Sequence, residues 1–287
     1  MDRNNILGST ESIVSIEDFL DTYDLDSPNG QRFSKEGINI LGDLEILPLT
    51  FRTPKIFDIN ILASWFFYSG CIGNRFNSSL HIPPQHKKIL EKTVKTLGTK
   101  LKDSSARKNI FNLSKNRVYF SRLLHCAGVP QSQGDNAHKE TKSKMELKLL
   151  PYISFLANKY TNIRGNDRKI AIKLLADHCK VLLLTRLTPN YSQFKLNFFK
   201  DLHSTTVEEA QYLPRQIVDI FNIIYPKIGL VADEIKVRKV GEGYEPSISF
   251  KQEQIMNASK YYGLFELNVN VNQQFHSLGR SLTFKNK

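Results

Sequence analysis

Residues 59–70 read Ile59-Asn60-Ile61-Leu62-Ala63-Ser64-Trp65-Phe66-Phe67-Tyr68-Ser69-Gly70. The run is apolar on nearly every side and about three helical turns long, the pattern of a helix buried between two layers. Ala63, Ser64, Ser69 and Gly70 are small enough for another backbone to approach closely, and Gly70 stands where a helix stops. Residues 71–75 and 77–82 then suit a short hairpin. Taken alone, the stretch fits an ordinary core helix as well as anything more specific. The order of the surrounding elements separates the readings.

Downstream, Pro83-Pro84 opens a helix to about Leu97, with Ile89, Leu90, Val94 and Leu97 on one face and Lys87, Lys88, Lys92 and Lys95 on the other. Residues 99–103 and 110–113 suit a second hairpin. Ser114 is placed to cap a helix through Ala127, stopped by Gly128 and Pro130. Residues 131–144 are polar and aperiodic, a linker, and a connecting helix follows at 151–160. The pattern then resumes: a helix from Asp167 to about His178, strands at 181–187 and 194–199 around a turn at Thr188-Pro189-Asn190, and a helix at 206–225 bent at Pro214. Strands at 234–240 and 246–250, a helix at 252–262 and a closing helix at 273–282 complete it. Helix–hairpin–helix–hairpin–helix is thus expected twice, and a repeat of this size implies two similar lobes. The division expected is an acidic accessory segment (1–57), a first lobe (58–130), a linker with connecting helix (131–165) and a second lobe (166–287). In the first segment Ser15 caps a short helix with Asp18 three residues on, and Asp26-Ser27-Pro28-Asn29-Gly30 signals a turn.

The 287 residues carry a net charge of +12, unevenly spread. Residues 1–50 hold ten acids and three bases, a net of −7, so the remainder carries +19; residues 85–150 hold fifteen bases against five acids. Such a skew suggests a polyanionic partner, against the plainer reading of a lysine-rich solubilising surface. No apolar run reaches membrane-span length, and residues 1–5 lack the basic and apolar regions of a signal peptide. Three widely spaced cysteines, Cys71, Cys126 and Cys179, fit an intracellular, reducing compartment and show no zinc spacing. Glycine loops for nucleotide phosphates and serine–histidine–aspartate patterns are also missing.

Leu62-Ala63-Ser64-Trp65-Phe66-Phe67-Tyr68-Ser69-Gly70 resembles the namesake motif of the LAGLIDADG family, the homing endonucleases and intron maturases, with Leu, Ala and Gly in register. Phe120–Pro130 and Leu150-Pro151 resemble the end of that family's first lobe, and residues 273–282 its closing helix. The resemblance covers 58–285, and the repeated order of elements carries more of it than the letters do. It implies an α+β fold of two pseudo-symmetric αββαββα lobes, packed through their motif helices as a saddle-shaped monomer. Each lobe would lay an antiparallel sheet on DNA. An aspartate at the end of each motif helix would hold Mg2+ beside the scissile phosphates.

The sequence departs from that pattern at the metal. The first aspartate position is Ser69, and the preceding motif acid is Phe67. With the second motif set at Lys173–Cys179, His178 takes the aspartate position and Asp177 precedes it, leaving Asp177 as candidate metal ligand and catalytic acid. Hard cations need carboxylates, and a serine hydroxyl substitutes poorly. The plainer readings are a helix-end residue with local hydrogen bonds for Asp177 and a favourable terminal charge for His178. Phosphate neutralisation needs no metal. Candidate nucleic-acid contacts are Arg75, Asn77, Lys100 and Lys102 in the first lobe, and Arg186, Lys195, Asn197, Lys236 and Arg238 in the second, against their being simply the solvent side of half-buried strands. The leading expectation is a nucleic-acid-binding protein, DNA favoured and RNA possible, with a lost or impaired nuclease site. The alternatives are an active metal-dependent endonuclease or maturase, and a protein-interaction module.

Overall fold

The computed structural model describes residues 7, 12–73, 76–104, 108–131, 149–190, 193–198, 206–241 and 243–264. It is a mixed helix-and-sheet structure with antiparallel sheets. The chain divides into two compact units, Met1–Thr141 with Leu150–Asp177, and Lys142–Leu149 with His178–Lys287. The expected closing helix at 273–282 and most of the linker lie outside the described residues. Among the described residues no helix is long and apolar enough to cross a membrane.

In the first unit, β1 (Ser12–Val14) pairs with β2 (Leu49–Thr50). Between them run α1 (Ile16–Leu20), whose Ser15–Asp18 capping box forms as expected, and α2 (Pro28–Asp43). The expected turn at 26–30 is instead the start of α2: Ser27 Oγ accepts the Gly30 amide and Pro28 occupies the first helical position. The described residues of the acidic segment pack into the first unit. Leu7, Val14, Phe19, Leu41, Ile46 and Leu49 are fully buried. Arg122 lies between the rings of Tyr23 and Phe76, 3.6 and 4.0 Å from their centres, and donates to Thr22.

The core of this unit is α3 (Ile56–Ser69), in which every residue from Leu62 to Tyr68 is buried. It runs without a turn into β3 (Gly70–Ile72). Gly70 is extended there, not left-handed. Its need is space, because a Cβ would sit 2.8 Å from Leu80 Cδ2 and 2.9 Å from Phe66 Cα. Next come β4 (Ser78–His81), α4 (Lys87–Thr96), β5 (Leu101–Asp103), β6 (Ile110–Leu113) and α5 (Arg117–Cys126), then α6 (Pro151–Lys159). Ser114 does not cap α5; Asn116 holds that position, and the Ser114 hydroxyl donates to the Lys100 carbonyl.

α7 (Gly165–Arg186) is a single helix of 22 residues. The expected end near His178 and strand at 181–187 are therefore corrected. Val181-Leu182-Leu183-Leu184 is buried on all sides, and such a short apolar run suits a buried helix as well as a strand. The strand starts later: β7 (Leu187–Asn190) covers the expected turn. In the second unit follow β8 (Gln193–Asn197), α8 (Val207–Ile224) with Pro214 inside, β9 (Ile235–Val240), β10 (Gly243–Phe250) and α9 (Gln252–Tyr262), which Gly263 ends.

The element order αββαββα therefore occurs twice, from α3 to α5 and from α7 to α9. The two four-stranded sheets have orders β3-β4-β6-β5 and β7-β8-β10-β9, the same connectivity in each. On the second sheet's core side Leu187, Leu196, Ile248 and Ile235 align across all four strands, and Phe250 meets Phe221 of α8 edge-on at 6.2 Å.

Candidate nucleic-acid interface

Strand register identifies the equivalent helix ends. Gly70 opens β3 opposite Leu80, and Leu187 opens β7 opposite Leu196. The residues just before them, Ser69 and Arg186, close α3 and α7. Asp177 and His178 lie roughly two turns further back inside α7, so their assignment to the aspartate position is corrected. His178 is completely buried, and burial pushes its imidazole down to about 3, so it is neutral at ordinary pH and carries no terminal charge. The Asp177 carboxylate takes the Lys173 ammonium at 3.2 Å. Asp58, in the first turn of α3, is raised above the usual carboxylate range by burial, against nearby lysines and with a smaller push from Asp177.

These residues do not fit a hard divalent cation. The Ser69 hydroxyl donates to the His81 carbonyl at 3.2 Å, beside Trp65 Nε1 on the same oxygen at 3.1 Å, and Arg186 is itself a cation. Among the described residues no three His, Cys, Asp or Glu side chains are grouped to hold a metal ion. Neither Ser69 nor Arg186 offers the carboxylate that metal-assisted phosphodiester cleavage requires.

The second sheet brings four expected residues onto one face. Antiparallel partners share a face, so the pairs Thr188–Lys195–Ser249 and Asn197–Ser247–Lys236 form two polar rows, with Arg238 opposite Glu245 next along. Lys236 and Arg238 are exposed, Lys195 and Asn197 half-exposed. Asn197 donates its amide to the Thr188 hydroxyl at 2.6 Å, and Arg238 Nη2 lies 2.6 Å from Glu245 Oε2. Arg186 is the exception: it ends a helix and does not lie in a hairpin. Thr188, Glu245, Ser247 and Ser249 were missed; the alternation Pro246-Ser247-Ile248-Ser249-Phe250 would have found the two serines.

The first sheet's outward face is less charged. Cys71 with Ser79, His81 with Ile110, and Asn112 with Lys102 share it by register. Lys102 is exposed on edge strand β5, and Lys100, also exposed, precedes that strand. Asn77 lies before β4, exposed, with its carbonyl accepting the Gly73 amide at 2.7 Å. Arg75 lies outside the described residues. The sequence matches no protein-family model and no curated protein.

Proposed function

We propose that the protein binds double-stranded nucleic acid, DNA in preference to RNA, on two LAGLIDADG-like lobes that lack a working metal site. The observation that carries this reading is the second sheet: one face apolar across all four strands at Leu187, Leu196, Ile248 and Ile235, and one polar face holding Lys195, Asn197, Lys236 and Arg238 in register. Lysine and arginine on such a face neutralise phosphates, while asparagine, serine and threonine between them offer donors and acceptors to base edges. The repeated αββαββα order supports the two-lobe assignment. Ser69 and Arg186 at the helix ends favour binding over cleavage.

The test is duplex affinity as a function of salt. With about six phosphate contacts, affinity falls about a thousandfold between roughly 50 and 200 mM salt. Binding that ignores salt, or no binding to any duplex, overturns the reading and favours a protein partner.

A further inference from the structure

At the outer edge of its sheet, the first unit has a cleft of about 390 Å3 lined by Glu91, Val94, Lys95, Gly98, Thr99, Lys100, Leu101 and Lys115. Leu101 pairs with Leu113 on the core side, so the cleft opens at the sheet's edge, beneath the end of α4. Three lysines reach it from three places: the last turn of α4, the residue before β5, and the approach to α5. All three are exposed, and none is in an ion pair among the described residues. The one acid in the lining, Glu91, has Lys87 at 3.8 Å. Three lysines around one cleft, with a single acid among them that already has a lysine beside it, give the cleft a net positive charge that favours an anion.

The backbone around them is held in place. Gly98 has φ 75°, and a Cβ there would lie 2.8 Å from Leu44 Cδ2. Thr99 donates its amide to the Val94 carbonyl at 2.9 Å and its hydroxyl to the Lys115 carbonyl at 2.5 Å. Ser114 gives both its amide and its hydroxyl to the Lys100 carbonyl. Because Lys100 and Ser104 bond across to Ser114 and Ile110, the antiparallel alternation turns the Leu101 amide away from β6, toward the side of β5 that no strand among the described residues pairs with. A preset amide among three lysines suits an oxyanion with several acceptor oxygens.

We propose that this cleft is a phosphate-binding site. The phosphate comes either from a nucleic-acid backbone or from a free phosphorylated compound; the backbone source rests on the function proposed above, and the site itself does not. The test uses the full chain, 15N-labelled, and the variant Lys95→Gln/Lys100→Gln/Lys115→Gln, with the corresponding triple Lys→Arg variant as a charge-preserving control. Titrated inorganic pyrophosphate should move the Gly98, Thr99 and Leu101 amide resonances to saturation in wild type and the arginine control, and not in the glutamine variant. If the glutamine variant also loses about one unit of log–log salt slope per lysine on duplex DNA, the source is the backbone. Pyrophosphate saturation with an unchanged duplex slope assigns the site to a free phosphoryl compound. If neither pyrophosphate nor duplex produces a lysine-dependent response at these amides, the site does not exist. A wild-type chain that binds no duplex ends the function proposed above and leaves pyrophosphate to decide the cleft.

Discussion

Asn60 Nδ2 lies 3.0 Å from the Leu174 carbonyl oxygen, so the side chain of one helix, α3, fastens onto the main chain of another, α7. Its Oδ1 in turn accepts the Tyr152 hydroxyl of α6 at 2.8 Å. Both side chains are buried, so each bond lost leaves a polar atom without water. Asn60→Leu strands the tyrosine hydroxyl and should cost about 2–4 kcal/mol; Tyr152→Phe should cost about 1 kcal/mol. In a double-mutant cycle read by urea unfolding, the second change should cost less once the first is present. Full additivity would mean that the two side chains do not act through one another.

Stability should fall on mild acidification. His178 has its folded value near 3 against about 6.5 in the unfolded chain, and burial lowers His86 in the same direction. Between those values the unfolded chain binds a proton that the native state refuses, so stability is full above pH 6.5 and lost as pH drops. The slope from His178 is up to about 1.4 kcal/mol per pH unit. Urea midpoints measured at pH 7, 6 and 5 should decline more steeply for wild type than for His178→Gln. Parallel declines would show that His178 is not the group responsible.

The repeat was legible because hydrophobic period and glycine stops mark α3 to α5 and α8 to α9 in the letters themselves. The second motif helix was misread because Val181-Leu182-Leu183-Leu184 has no polar interruption to distinguish a buried helix from a strand, and the error carried Asp177 and His178 into a role belonging to the helix end. α2 was missed because Gly30, Gly37 and Gly42 dilute its helical pattern; its packing, including the buried Leu41, settles what propensity does not. The cationic rows of the second sheet were readable from alternation. The lysine cleft was not, since Lys95, Lys100 and Lys115 meet only through the fold.

If the protein binds duplex DNA as proposed, magnesium should make no difference to that binding. Ser69 is engaged with the His81 carbonyl, and the end of α7 carries Arg186, a cation, in place of a carboxylate. Supercoiled plasmid carrying a bound site should stay intact through long incubation with Mg2+ or Mn2+, and duplex affinity should survive EDTA. Cleavage abolished by Asp177→Asn would reverse this and restore the endonuclease reading.

The Arg238–Glu245 pair gives the sharpest test of the outward face. The arginine side chain is 76% exposed and the glutamate 10%, so the carboxylate is tucked against the sheet and holds an otherwise free cation over it. The arginine end of the pair is open to solvent, which screens it, so changing either partner should alter the face without unfolding the lobe, which urea unfolding of each variant checks. Glu245→Gln keeps a hydrogen-bond acceptor but removes the charge opposing an incoming phosphate. Duplex affinity should therefore rise, and the log–log salt slope should steepen by about one. Arg238→Gln should do the opposite, and more strongly than Lys236→Gln, because it also leaves the Glu245 carboxylate uncompensated beneath the nucleic acid. Fluorescence anisotropy with one labelled duplex across a salt series separates the three variants. If Glu245→Gln weakens binding or leaves it unchanged while the protein still binds DNA, the duplex sits elsewhere on the molecule and this sheet is only a solvated surface.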